Sequence, residues 1–483
     1  MQTGSSSTRL LLAAAAGALS SLAYLPWGPR IAVLASFAPL YAATTDAGPR
    51  KGALYGFVTG LAGCGIVFHW IVPLIARFTG LHWTLAMAGF ILLLLWESLA
   101  FAAWGAVLGM RSDSPFAGVL RVLWPVVLER FWPRIFPWHF GDPLAEFPLL
   151  CQTADLGGVY AVSALVLACN HALGRPWRRR TLGAAALLLL SALGYGWFRL
   201  AHLPVPDSML DVVLVHPAIP LAERRRALAD PRLYEEQKSF LVGLATAAGR
   251  ADLVVMPEGA FVAALDGTGA GIFRRVGAPV LYGAHAMGPG GRPHYNSAVL
   301  ESSGPASMYH KSLLMLFGER LPPGFGWLKT RTRRSPVDAG TGPRTLESGP
   351  AALGPLICYE DVFPGYVRKV VRSGARLLVN LTEDGWFGWP DEPFEHLLLS
   401  RLRAVENRRT LLRCVNNGVT AAVDPAGRLM AIESRREGAA AVRVRVPVVS
   451  IPTLYTRWGD WFVYASALAC GLYLAAILAM RWR

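Results

Sequence analysis

Apolar positions follow two different rhythms along this chain. Over residues 10–200, and again over 461–480, they form long stretches with few charges; over 205–450 they form short runs broken by polar residues. A helix crossing about 30 Å of hydrocarbon needs roughly 20 mostly apolar residues. The long stretches predict spans at 9–26, 30–45, 52–75, 83–109, 117–129, 153–173, 181–200 and 461–480. Trp27, Trp70, Trp83, Trp124, Trp177, Trp197 and Trp461 fall near their ends, where interfacial aromatics belong.

The middle region has the other rhythm. Short apolar runs at 211–215, 252–256, 279–285, 295–301, 353–359, 376–381, 411–415 and 419–423 predict buried strands, and 231–248 and 392–409 predict helices. Strands alternating with helices predict a layered α/β domain. The expected organisation is an N-terminal membrane bundle of about seven helices over 1–200, an α/β domain over 201–456, and a returning membrane helix in 457–483.

Composition sharpens this picture. The chain is 53% hydrophobic, too apolar for an ordinary soluble protein of 483 residues. Its net charge of +15 is placed largely where a membrane protein needs it. With a cytoplasmic N-terminus, the inner loops hold Arg50, Lys51, Arg111, Arg175 and Arg178–Arg180, and the tail adds Arg481 and Arg483; the outer loops hold Arg30, Arg77, Arg130 and Arg134. That bias puts the α/β domain outside the cytoplasm. Attraction to anionic lipid headgroups is the other use of such charge. Nucleic-acid binding is not expected, because no recognition motif accompanies the basic residues. His69, Glu97, Asp155 and His171 lie in or beside spans without a relay pattern, so helix packing or interfacial placement is their expected role. None of the six cysteines makes a C-x-x-C pair, and four of them lie in or beside apolar stretches.

Three strand ends carry chemistry. The 252–256 run ends in Pro257-Glu258, Lys311 follows Tyr309-His310, and Leu356-Ile357 leads into Cys358-Tyr359-Glu360. One Cys after a buried strand is more often a core residue than a nucleophile. Glu, Lys and Cys in this order at strand ends are more specific. A thiolate attacks acyl carbons, a nearby Lys lowers the thiol pKa and steadies an oxyanion, and a carboxylate takes and returns the proton. No G-x-S-x-G supports a serine alternative.

These blocks resemble the carbon–nitrogen hydrolase, or nitrilase, superfamily. With the flanking helices, the resemblance narrows to the apolipoprotein N-acyltransferase family. It is carried further by Phe136-Pro137-Trp138, Ala154–Tyr160, Phe317-Gly318-Glu319, Trp386-Phe387-Gly388, Arg403–Glu406, Asn416–Thr420 and Tyr455–Asp460. The resemblance implies an α-β-β-α sandwich beside about eight spans in a bacterial inner membrane. It implies Glu258 as general base, Lys311 as oxyanion stabiliser and Cys358 as nucleophile. Glu319 would orient Lys311, and Tyr359 and Glu360 would support the site. Trp386 and Phe387 would line an acyl pocket, or simply pack a core, and Phe325 and Trp327 would sit in a lid or a solvated loop. The implied partners are a phospholipid acyl donor and a diacylglyceryl-modified apolipoprotein; no metal or organic cofactor is implied. The chain departs from the family at His216, where Gln is usual, at Leu316, where Pro is usual, and at Glu383, where Asn is usual. It also has no clear counterpart of a Trp soon after the first soluble strand. A tethered nitrilase-type amidase and an inactive lipoprotein-binding scaffold remain alternatives.

Overall fold

The computed structural model describes residues 5–112, 114, 116–175, 179–264, 271–273, 276–287, 293–302, 304–321, 324, 337–349, 351–388 and 391–481. Phe325 and Trp327, the basic residues at 329–334, Trp177 and Arg178 lie outside the described residues. The chain forms two compact units. One comprises Met1–Val72, Trp83–His202 and Thr453–Arg483; the other comprises Pro73–His82 and Leu203–Pro452.

The first unit is helical. Among the described residues, Trp83–Gly109 and Arg179–Ala201 are each long and apolar enough to cross a membrane, and Pro49–Val67 with Ile71–Arg77 makes a third candidate bent by 57°. The other expected spans are shorter or broken. Residues 30–45 divide into Arg30–Ala32, Val33–Ser36 and Ala38–Thr44. The backbone groups freed there are met by Asn170, which donates to the Val33 carbonyl at 2.8 Å and accepts from Phe37 N at 2.7 Å. The bend at 68–70 follows from Pro73, which has no N–H for the His69 carbonyl. Residues 153–173 likewise start with a short turn, Ala154–Gly157, before the helix Val159–Gly174.

Glycines allow a close helix contact. A Cβ on Gly52 would lie 2.2 Å from the Gly105 carbonyl oxygen, and one on Gly56 2.0 Å from that of Phe101. The helices Pro49–Val67 and Trp83–Gly109 therefore meet backbone to backbone, as small-residue faces allow in lipid. Of the four ionisable groups singled out in the sequence, Glu97, Asp155 and His171 are buried and His69 is exposed. Glu97 pairs with Arg134 at 3.1 Å with both side chains buried. Asp155 accepts from Arg199 at 2.8 Å and Tyr195 at 2.7 Å. His171 meets the Tyr41 ring edge-on, and His69 Nδ1 lies 2.9 Å from the Ile66 carbonyl.

The second unit is a sandwich of two sheets. The strands are β1 Ser208–His216, β2 Leu253–Val255, β3 Phe261–Ala264, β4 Val280–Met287, β5 Pro293–Glu301, β6 Ser307–His310, β7 Leu346–Ser348, β8 Ala351–Ile357, β9 Leu377–Thr382, β10 Thr410–Val415, β11 Thr420–Val423, β12 Leu429–Glu433 and β13 Ala440–Val448. One sheet runs β13–β1–β2–β4–β5–β6 with β3 beside β4, and the other β12–β11–β10–β9–β8–β7. β1, β2 and β4 are parallel, as are β8, β9 and β10. β9 and β10 are buried at every position because both faces are covered, which is why they read as mostly apolar runs, each broken by one internal polar residue, Asn380 and Arg413. Leu241 and Ala245 of the helix Pro231–Ala247 pack on Val213, Val254 and Phe261 of the first sheet. Val367 and Val370 of Pro364–Arg372, and Ala404 of Asp391–Asn407, cover Leu356, Leu378 and Leu411 of the second. The sheets face one another across Cys414, whose Sγ lies 3.1 and 3.2 Å from the carbonyls of Val215 and Val255. The layer order is α-β-β-α.

Candidate active site

Glu258, Lys311 and Cys358 each stand one to three residues past a strand, after β2, β6 and β8. Lys311 continues the sheet ladder: its N–H donates to the Asn296 carbonyl at 2.8 Å, and its carbonyl accepts from Gly340 N at 2.8 Å. Its chain is almost fully buried. The ammonium lies 2.9 Å from Glu319 and 3.8 Å from Glu258, and 5.5 Å from the centre of the Tyr359 ring. Asn296 donates to both carboxylates, at 2.6 Å to Glu258 and 3.2 Å to Glu319. Met315 N adds a bond to Glu319 at 2.9 Å, and Glu383 N one to Glu258 at 3.1 Å.

Cys358 has φ +54°. A residue with a Cβ in the left-handed region carries about 1–3 kcal/mol of strain and is found where surroundings enforce it. Here Asn380 Nδ2 donates to the Cys358 carbonyl at 2.7 Å. Glu360 is the second restraint. One oxygen accepts from Ile357 N at 2.8 Å and the Tyr309 hydroxyl at 2.7 Å; the other accepts from Ser312 N at 2.7 Å and Leu313 N at 3.0 Å. Glu360 thus ties the Cys358 turn to the segment just after Lys311. Tyr359 donates to the Leu314 carbonyl at 2.8 Å, on the same segment.

The two carboxylates on Lys311 differ in proton affinity. Burial raises the pKa of Glu258, and neighbouring Glu319 adds to this against the pull of Lys311. Burial works in the same direction on Glu319, but Lys311 and the Met315 N–H outweigh it and hold that carboxyl below its ordinary value. Lys311 loses stability as a cation through burial, yet Glu319, Cys358 and Glu258 more than restore it, so its pKa lies well above the ordinary value. Burial pushes the Cys358 thiol up, and the opposing influence of Lys311 does not reverse it. Lys311 acts on the thiol in the expected, lowering direction, but burial exceeds its effect. The arrangement holds a neutral thiol, a fixed cation, a fixed carboxylate and a second carboxylate with raised proton affinity. Opposed carboxylates of this kind suit proton transfer.

Other expected residues are placed differently. Phe387 is only 3% exposed and packs into the domain. Trp386 is partly exposed, with the Arg225 guanidinium 4.5 Å from its ring centre. His216 is buried, bonded to Thr420 Oγ1 at 3.0 Å and the Arg435 carbonyl at 2.9 Å, so it links β1 to the region beyond β11. Leu316 lies exposed in the turn before Glu319.

Sequence reasoning missed Asn296, Asn380 and a buried charge network. His396 lies 3.0 Å from both Asp361 and Asp384, and Arg413 meets the same two carboxylates at 2.5 and 3.4 Å. A polar residue inside an apolar strand, as in Asn296 and Asn380, is the signal that could have found the first two. Asp384, Glu392 and His396 place ligand-type atoms within 4.8 Å of one another. Burial and Arg413 oppose charge on His396, but Asp361 and Asp384 outweigh them and raise its pKa. Both ring nitrogens of His396 are already engaged by buried carboxylates. The network instead joins the Cys358 and Trp386 turns.

Comparison with known proteins gives the family. The family model described as the apolipoprotein N-acyltransferase N-terminal domain matches residues 16–172, and that described as carbon-nitrogen hydrolase matches 272–450. Lys311 and Cys358 lie inside the second stretch and Glu258 before it. An amidase from Nesterenkonia sp. superposes over 55% of this chain and 98% of its own, with TM-score 0.38 and 22% identity. The apolipoprotein N-acyltransferase of Geobacter metallireducens is 31% identical over 98% of this chain and 95% of its own. That of Gloeobacter violaceus is 31% identical over 97% and 94%, and that of Bdellovibrio bacteriovorus 30% identical over 92% and 89%. This chain belongs to the apolipoprotein N-acyltransferase family and is an acyltransferase.

Proposed function

We propose that the enzyme moves a fatty acyl chain from a phospholipid to the N-terminal amine of a diacylglyceryl-cysteine lipoprotein, through a thioester on Cys358. The observation that carries this reading is the convergence of Glu258 and Glu319 on the Lys311 ammonium, with Cys358 within electrostatic reach of Lys311 and Glu258, one carboxylate held low and the other raised in proton affinity. Glu258 takes the thiol proton as sulfur attacks the ester carbonyl. Lys311 stabilises the tetrahedral oxyanion. The carbon–oxygen bond breaks, Glu258 returns the proton to the leaving alkoxide, and lysophospholipid departs. The lipoprotein amine then attacks the thioester, Glu258 takes its proton, and the carbon–sulfur bond breaks to give an amide and the restored thiol. Glu319 holds the Lys311 ammonium and Glu360 holds its backbone against the Cys358 turn. Trp386, Phe325 and Trp327 are proposed to meet lipid.

In the proposed topology eight spans cross a bacterial inner membrane, two of them long and regular, a third bent and the rest short or broken, and the α/β domain lies on the periplasmic side. The supporting observations are the apolar helices and the distribution of Arg and Lys. A single thiol cannot hold an acyl group and accept another, so the steps alternate. With phospholipid alone, purified enzyme should release about one equivalent of lysophospholipid and stop. A diacylglyceryl peptide with a free amine should restart turnover, and its N-acetylated form should not. Continuous release of free fatty acid without amine would overturn the transferase reading in favour of an amidase-like hydrolase.

A further inference from the structure

Glu383 introduces a carboxylate beside Glu258, where the family resemblance leads one to expect a neutral amide. A second carboxylate next to a general base raises its proton affinity and weakens it near neutral pH. The structure contains a feature that answers this charge. Arg224, buried on the helix Leu221–Ala229, is bonded through Nη1 to Glu383. Its Nη2 donates to the Glu258 carbonyl at 3.0 Å and to that of Gly259. Glu383 also accepts from Asn416 Nδ2 at 2.7 Å and from Gly385 N at 3.0 Å, while its own N–H donates to the Glu258 carboxylate at 3.1 Å.

We propose that Arg224 and Glu383 form a positioning pair for the base. Arg224 fixes the Glu258 backbone and cancels the charge of Glu383; Glu383 aims a peptide N–H at the Glu258 carboxylate and anchors the Trp386 turn. This assignment rests on the acyl-transfer reading, in which Glu258 is the base. The side chains of the pair act on the Glu258 backbone and on one another, and only the Glu383 peptide N–H reaches the Glu258 carboxylate. The planar guanidinium suits the task because it serves two carbonyls and a carboxylate at once, which an ammonium cannot do with the same geometry. Gly259 fits the same arrangement: its φ is +58°, and a Cβ there would lie 2.9 Å from Arg224 Nη2 and 3.2 Å from His285 Nε2. The neighbouring Arg225 stacks on Trp386, so one helix holds both ends of the Glu383–Trp386 segment.

The charged and titratable groups around Glu258 are Lys311, Glu319, Cys358, Glu383, Arg224 and His285. Changing either member of the pair alters the balance in a predictable direction. Arg224→Met leaves the Glu383 charge uncancelled, raises the proton affinity of Glu258 and moves the acid limb of acylation to higher pH. Glu383→Gln leaves Arg224 uncancelled and moves that limb to lower pH. The double variant returns toward wild type. Each single shift should be about one pH unit, a tenfold change in ionised base on that limb.

The test uses full-length enzyme in phosphatidylethanolamine vesicles, with the rate of acyl attachment to Cys358 read by mass spectrometry from pH 4.5 to 9. Wild type is measured first: no acyl mass on Cys358 would defeat the acyl-transfer reading itself. If wild type acylates, opposite shifts in the single variants with recovery in the double support the pair. Lowered rates with an unmoved acid limb in both would assign Arg224 and Glu383 to stability alone and overturn the inference. If Arg224→Met does not fold, the acidward shift of Glu383→Gln decides the matter alone.

Discussion

Replacing Glu319 by Gln keeps the shape of the side chain and removes the charge that holds Lys311. The geometry sets the scale. Lys311 Nζ lies 2.9 and 3.0 Å from the two Glu319 oxygens, and 3.8 Å from Glu258. At an effective dielectric of about 20, charges about 3 Å apart attract by about 5–6 kcal/mol. Most of that offsets the cost of removing both ions from water. The net worth of a hydrogen bond to a charged group is about 1.5–3 kcal/mol. Without Glu319, Lys311 turns toward Glu258, so the oxyanion donor and the base engage one another. At about 1.4 kcal/mol per tenfold, the acylation rate should fall roughly 10- to 150-fold.

The pH profile gives a second reading of the same change. Glu319 is the largest of the influences that raise Lys311, so its loss lowers the lysine's pKa and draws the alkaline limb to lower pH. Glu319 also raises Glu258, so the acid limb moves down as well. Stability follows the wild-type shifts. The raised pKa of Lys311 contributes stability that is full below about pH 10.4 and lost as pH rises through the folded value. The lowered pKa of Glu319 contributes stability present above about pH 4.3 and lost as pH falls through its folded value. The assay is single-turnover acylation of the purified enzyme, read as acyl mass on Cys358 against pH. A rate within about threefold of wild type, about 0.7 kcal/mol, with both limbs unmoved would refute the reasoning.

Other outcomes follow from the same geometry. Cys358→Ala should abolish acyl attachment while leaving the melting temperature nearly unchanged, whereas Cys414→Ala should retain acylation and lose about 1 kcal/mol of stability from a small cavity between the sheets, read by denaturant unfolding. Glu360→Gln replaces one acceptor of a four-bonded carboxylate with a donor facing other donors; it should cost about 1–3 kcal/mol and slow acylation through misplaced Lys311, with mass attachment and unfolding measured together. Reporter fusions near residue 300 and at the C-terminus should report opposite sides of the membrane; the same side for both would contradict the proposed topology.

Much of the α/β domain was legible because its central strands are covered on both faces. The runs expected at 211–215, 353–359 and 376–381 fall on β1, β8 and β9 within a few residues. Cys358 itself leaves the strand, because a positive φ is not written in apolar periodicity. The strands β12 and β13 were missed. β13 alternates apolar and charged residues through Val442-Arg443-Val444-Arg445-Val446, the signature of a sheet edge exposed on one face, and so lacks the continuous apolar run that marks the central strands. The helix Leu221–Ala229 was missed because its sequence is dominated by charge, yet it carries Arg224 to the base. In the helical unit, the stretch at 30–45 reads as continuous in hydropathy. Its breaks depend on Asn170, which is distant in sequence and satisfies the freed backbone groups. Glu258, Lys311 and Cys358 stood out because each follows an apolar strand; Asn296 did not, because its bonds depend on two carboxylates from other segments.

The central claim is that Cys358 carries the acyl chain between two substrates. Its most direct test is intact-mass and peptide mass spectrometry of the full-length enzyme after incubation with phospholipid of one defined acyl chain. The predicted result is one acyl mass on the Cys358 peptide, removed by neutral hydroxylamine and transferred to a diacylglyceryl peptide with a free amine. An unmodified Cys358 in enzyme that still acylates the peptide, or acyl mass on a different residue, would contradict it.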